Sequence, residues 1–313
     1  MKYVVKKVGI LILMMVLVSF ITFIAFSAIP GDSVITALGT EATEEAIEAM
    51  REEMGYNDPI FLRYSRWAIG VIKGEFGDSF QYKMKGSELV GSKLPVTITL
   101  AFMSMLLTVV IAIPLGLWLA KTKNQRLQNL IAFITQMLMS IPSFFLGMIL
   151  TLLFGVVFKF FTPGGYVSYK EDVVSFLTYL FLPAVAISLP KISMVSKFML
   201  TSVKREMDLD YVRTAYSKGA TRNHVFKRHI RKNSMMPVVT FLGMVIAEML
   251  AGSIVVEQVF NLPGLGRLLV TSINNRDLYV VQAIILYIVT VVIVINFVVD
   301  MIYQIIDPRV RLK

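Results

Sequence analysis

Cysteine is absent from all 313 residues, which excludes disulfides, thiolate metal sites and cysteine nucleophiles. Histidine occurs only twice, too sparsely for a histidine-based metal centre. Charge is also scarce. Asp, Glu, Lys and Arg make up 17% of the chain, against about 25% in an ordinary soluble domain. The phosphate-loop pattern Gly-x4-Gly-Lys-Ser/Thr occurs nowhere, so this chain has no nucleotide site of that kind. No Ser/His/Asp or metal-ligand set stands out, which argues against an enzyme.

Apolar residues fill the space instead: 56% of the chain, with a mean hydropathy of +0.70. A soluble fold of this size could not hide so much apolar surface. A soluble globular enzyme, a disordered chain and a collagen-like fibre are excluded, and a polytopic membrane protein is expected.

Residues 8–29 carry no charge over 22 positions, about 33 Å of helix at ~1.5 Å per residue and enough to cross a bilayer. Lys2, Lys6 and Lys7 before it suggest a signal peptide, yet the run exceeds the usual apolar core of about 7–15 residues, so a retained span is expected. Further apolar runs cover 94–120, 127–158, 173–190 continuing to about 200, 234–256 and 278–299. Internal prolines are tolerable here, because neighbouring helices can re-satisfy freed backbone groups. The expectation is an all-α, polytopic membrane protein with six transmembrane helices.

Lysine and arginine fix the orientation. With a cytoplasmic N-terminus, the inner segments (1–7, 121–126, 197–233, 301–313) hold 19 basic and 4 acidic residues. The outer segments (30–93, 159–172, 257–277) hold 11 basic and 15 acidic. Both termini are therefore expected inside. The formal charge of +10 reflects topology and gives no reason to expect nucleic acid.

Two stretches of the long first outer segment read as helices, 43–54 and 60–73, the second carrying Tyr64 and Trp67 as interfacial aromatics. The inner loop 201–233 is the most informative segment. Residues 204–218 are compatible with helix, and Gly219 is a natural stop because glycine reaches left-handed angles cheaply. Thr221 can cap a second helix through Val225, Phe226 and Ile230. A basic loop contacting anionic lipid would not need a glycine-broken pair of short helices. That shape suits docking into a groove on another protein.

The stretch DYVRTAYSKGAT (210–221), followed by RHIRKN and MMPVVT, resembles the EAA loop of ABC importer permeases, in the branch serving oligopeptides, dipeptides and nickel. Arg213-Thr214-Ala215 and Gly219 align with the Glu-Ala-Ala and Gly of the general motif; Arg213 replaces the glutamate, as is typical of that branch. Ile29-Pro30-Gly31-Asp32, EFGDSF (75–80), LPVTITLA (94–101), TPGGY (162–166), VEQVFNLPGLGRLL (256–269) with NRD (275–277), and DMIYQIIDPRVR (300–311) resemble further elements of the branch in the same order. Order and spacing resemble its first-permease, peptide permease B type.

The resemblance implies a type I ABC importer permease fold. A first helix and extracytoplasmic cap would occupy 1–93, a five-helix core 94–306 with its coupling loop at 201–233, and a cytoplasmic tail 307–313. It implies translocation of oligopeptides or dipeptides, or of nickel or a metal–chelator complex, across a bacterial or archaeal cell membrane. The implied partners are a homologous second permease subunit, two cytoplasmic ABC ATPase subunits and an extracytoplasmic substrate-binding protein. No cofactor is expected in this chain; ATP and magnesium would bind the partner ATPases. Arg213, Thr214, Ala215, Lys218 and Gly219 would dock those ATPases.

Glu248 is the one acid deep within a span and is expected either to line the translocation path or to serve a structural pairing. Lys191 and Asp300 lie nearer the span ends and are expected to snorkel or pair. His224 and His229 lie among arginines and are not expected to hold a metal. A secondary transporter would want several midplane charges and inverted repeats, and a channel a selectivity filter; neither signature is visible.

Overall fold

The computed structural model describes residues 2–27, 42–53, 55, 57–79 and 81–306. The Ile29–Asp32 motif, the Asp307-Pro308-Arg309 motif and the tail 307–313 lie outside the described residues. Helix α1 spans Lys2–Ser27, α2 Glu44–Glu53, α3 Ile60–Ile72, α4 Gly86–Lys121, α5 Gln125–Ser140 and α6 Ser143–Thr151, which runs on as a π-helical stretch to Val157. Helix α7 spans Val173–Met207, α8 Asp210–Ser217, α9 Arg222–Val259, α10 Leu265–Asn274 and α11 Leu278–Ile306. A two-stranded hairpin pairs β1 (Asp78–Ser79) with β2 (Met84–Lys85).

Five helices among the described residues are long and apolar enough to cross a membrane: α1, α4, α7, α9 and α11. The run at 127–158 is not one straight span. It breaks into α5 and α6, which meet at 98°. Pro142 stands at the N-cap of α6, and proline there cannot supply the N–H that a continuous helix needs. Counted as one broken span, the pair brings the total to six. Helices α4 and α9 both begin earlier than hydropathy alone indicates, because each first turn is polar but helix-competent.

Contacts group the chain into two units. The first comprises residues 1–97 and 263–294. Within it, α3 lies along α1: the Ser19 and Tyr64 hydroxyls are 2.8 Å apart, and Phe20 stacks on Phe61. The hairpin leads into α4, with Gly86 N–H donating to the Gly77 carbonyl at 2.8 Å. A Cβ on Gly77 would sit 2.8 Å from the Tyr279 ring, and its φ of +86° is one that glycine reaches cheaply. Buried Ser79 donates a hydrogen bond to the buried Asp277 carboxylate.

The second unit comprises residues 98–262 and 295–313. Helix α7 is its centre and packs against α5, α6 and α9. Its buried face runs through Leu180, Ala184, Ile187, Val195, Met199 and Val203, and α9 answers with Val238, Val245, Met249 and Val256. Pro183 and Pro190 sit inside α7 without ending it. Buried serines in this core satisfy themselves locally: Ser193 donates to the Leu189 carbonyl and Ser196 to that of Ser193. Small residues allow close approach. A Cβ on Gly116 of α4 would lie 2.6 Å from Met199 Cβ and 2.7 Å from the Ser196 carbonyl.

Candidate functional site

The loop between α7 and α9 folds into a sharp elbow. Helix α7 ends at Met207 and α8 starts at Asp210. Val212, 1% exposed, anchors α8 from beneath. At the far end the chain turns through Gly219, whose φ is +82°. Gly219 N–H donates to the Tyr216 carbonyl at 2.9 Å and Ala220 N–H to that of Ala215 at 3.2 Å, the paired bonds of a Schellman stop. Thr221 occupies the N-cap of α9, but its hydroxyl makes no capping bond. Burial of Val225, Phe226 and Ile230 holds the start of α9 instead.

Arg213, Thr214, Lys218 and Gly219 are exposed, and Ala215 is half-buried. The Arg213 guanidinium lies 3.7 Å from the Asp210 carboxylate, with both side chains largely in solvent, so the pair contributes little. Tyr211 donates to the Glu206 carboxylate at 2.5 Å. Burial and that bond push its phenol up to about 12, so it stays protonated and keeps donating. The elbow is a rigid helix end with an exposed, charged outer ridge.

A second site lies within the spans. Lys191 of α7 reaches Glu248 of α9, Nζ to Oε2, at 2.5 Å. Lys197, further along α7, donates to Gln136 of α5 at 3.1 Å. The lysine of the ion pair is the more covered partner, 21% exposed against 51% for the glutamate. Both residues lie on helices apolar enough to cross a membrane, and the glutamate keeps about half of its side chain open.

A family model described as "Binding-protein-dependent transport system inner membrane component" matches residues 112–312, and a model for the N-terminal part of such membrane components matches 1–101. The chain belongs to this family. It is a multi-pass membrane permease subunit of an ABC importer. A Brucella abortus protein named as a peptide transport system permease is 34% identical over 306 residues, covering 98% of both chains. The glutathione transport system permease protein GsiC of Salmonella typhimurium is 33% identical over 313 residues, covering 100% of both. The oligopeptide transport system permease protein AppB of Bacillus subtilis is 30% identical over 312 residues, covering 99% of both. Among solved structures, a chain of the inward-facing MetNI methionine ABC transporter shares the fold at TM-score 0.57 and 15% identity, covering 70% of the permease and 96% of that chain.

Of the sequence-expected residues, the structure gathers Arg213 to Gly219 on one elbow and sets Glu248 apart, on α9. Lys191 pairs. The Asp300 side chain lies outside the described residues. The His224 and His229 rings are 6.4 Å apart, and no cluster able to hold a metal occurs among the described residues. Sequence reasoning missed the Lys191–Glu248 partnership, the Ser79–Asp277 bond and the complete burial of Glu257. By sequence alone, Glu257 and Asp277 are simply acids of an outer segment. Their signal was indirect, as members of the motif-like runs VEQVF and NRD. Burial pushes the Asp277 carboxyl above the usual range, opposed by the Ser79 hydroxyl and the backbone N–H groups of Val280 and Gln81.

Proposed function

We propose that this permease subunit carries peptides into the cell by ATP-driven alternating access, with its elbow at Gly219 docked on a cytoplasmic ATPase. The Schellman-stopped helix α8 carries the reading: it presents Arg213, Thr214 and Lys218 outward on a short, rigid segment, the shape a groove on a partner can grip. The names of the relatives AppB and GsiC support peptide as the substrate class. The assembly would comprise this chain, a homologous second permease, two ATPase subunits and an extracytoplasmic binding protein. ATP and magnesium would sit on the ATPases, and this chain alone would neither bind nor hydrolyse nucleotide.

The path would be lined in part by Glu248, whose half-open carboxylate in mid-span supports that role. Closure of the ATPases would move the elbow, and α7 and α9, which flank it, would re-tilt. Both termini would be cytoplasmic.

The test is reconstitution of all subunits in nanodiscs with the binding protein. Peptide-stimulated ATP hydrolysis and vesicle uptake are expected, and nickel salts should not substitute. Stimulation by nickel and not by peptide would overturn the substrate assignment. Saturable nucleotide binding to this chain alone would overturn the division of labour. Reporter fusions after residues 60, 165 and 270 should read outside, and those after 124 and 215 inside; any reversed pair breaks the orientation.

A further inference from the structure

A cavity of about 410 Å³ opens where α4, the elbow and the start of α9 meet. Its rim carries Lys121, Arg222, Asn223 and Tyr216, and its floor Phe226 and Ile230. No carboxylate lines it, and neither Lys121 nor Arg222 forms an ion pair among the described residues. The Lys121 ammonium stands 4.1 Å above the centroid of the Phe226 ring. That contact fixes the cation over the cavity while leaving its outer hydrogens free to donate. The floor residues are almost wholly buried, with Phe226 at 6% and Ile230 at 0%. The cavity therefore pairs an apolar base with two uncompensated cations at its mouth.

Its depth is set by its neighbours. Lys121 is the last residue of the long apolar helix α4, and Met207, also in the lining, is the last of α7. Trp118, one turn before Lys121, is 48% exposed, the placement of an interfacial aromatic. The mouth thus lies where hydrocarbon gives way to headgroups. We propose that this cavity binds the phosphate headgroup of an anionic phospholipid. Lys121 and Arg222 hold the phosphate, and Asn223 and Tyr216 are placed to hydrogen-bond it. Phe226 and Ile230 face the glycerol and first methylenes, and the acyl chains leave past Trp118. Basic pockets at the cytoplasmic ends of spanning helices suit such headgroups; the cytoplasmic leaflet follows from the orientation proposed above.

An acidic side chain of the ATPase is the rival occupant, and the geometry disfavours it. Of helix α8, only Tyr216 reaches the cavity. Arg213, Thr214 and Lys218 stay outside it, so the docking ridge and the cavity are separate surfaces. A free phosphate offers the same anion chemistry, but it has no use for the apolar floor.

The experiment compares the full complex purified from membranes as wild type, as Lys121→Gln/Arg222→Gln, and as Lys123→Gln/Lys232→Gln. The last pair removes the same charge from exposed positions outside the cavity. Native mass spectrometry in nanodiscs of phosphatidylglycerol and phosphatidylcholine counts the lipid retained. Wild type and control should retain phosphatidylglycerol, and the cavity variant should hold it roughly tenfold or more weakly, as loss of two surface cations predicts. Arg222→Lys, which keeps the charge, should retain it. Equal retention in the cavity variant overturns the proposal, as does equal loss in the control. Displacement of the lipid by millimolar inorganic phosphate would make it a free-phosphate site. A crosslink from position 222 to the ATPase that excludes lipid would make it a protein contact.

Discussion

Lys191 and Glu248 form an ion pair between α7 and α9, 2.5 Å from Nζ to Oε2, on two helices that are each apolar enough to cross a membrane. The pair explains how Glu248 is tolerated: each charge is solvated by the other, and the glutamate keeps an open side.

Removing either partner leaves a lone charge in the span, with a penalty of ~2.5 kcal/mol or more if it stays ionised. Glu248→Gln and Lys191→Met should each lower thermal stability, and the exchange Lys191→Glu/Glu248→Lys should recover it. Peptide uptake separates the roles. A path-lining glutamate predicts that uptake stays altered in the stable exchanged variant. Full recovery of uptake would reduce the pair to a structural tie.

At Gly219 nothing lies within 4 Å of where a Cβ would sit, so a side chain there meets no clash. The cost of Gly219→Ala is conformational alone, ~1 kcal/mol for a left-handed backbone, and Gly219→Val is costlier. Membrane insertion should persist while peptide-stimulated ATP hydrolysis falls, more for valine than for alanine. Normal coupling in Gly219→Val would refute the docking role.

Close packing, not backbone angle, sets the penalty at Gly116. An added Cβ would meet Met199 and the Ser196 carbonyl well inside contact distance. Gly116→Ala should destabilise by ~1–3 kcal/mol. Gly91→Ala, also in α4 but with open space around it, should be neutral or slightly stabilising. Thermal unfolding in detergent followed by size exclusion would compare them; equal midpoints would contradict the packing at α7.

Asp277 gives a pH signature. Burial raises its folded-state pKa above the ordinary 3.8, so the fold prefers the protonated acid. Stability from this group is fully present below the unfolded value and is lost as pH rises through the folded one. Asp277→Asn can still accept the Ser79 bond and stays neutral. It should match wild type at about pH 3 and be the more stable at about pH 7. An advantage confined to acid would reverse the sign and overturn the account.

The sequence by itself determined the membrane class, the apolar runs and the elbow. Long uncharged stretches admit few solvents but lipid, and Gly219 stands where the loop must turn. Charge asymmetry along the chain, a one-dimensional property, sufficed to propose an orientation. Tertiary structure alone decided what depends on neighbours distant in sequence. Hydropathy could not see the 98° bend between α5 and α6, because an uncharged run reads the same straight or broken. Nor could it pair Lys191 with Glu248, 57 residues apart, or Ser79 with Asp277, 198 apart. Those partnerships arise only when packed helices bring side chains together, and the same packing leaves Lys121 and Arg222 facing one cavity.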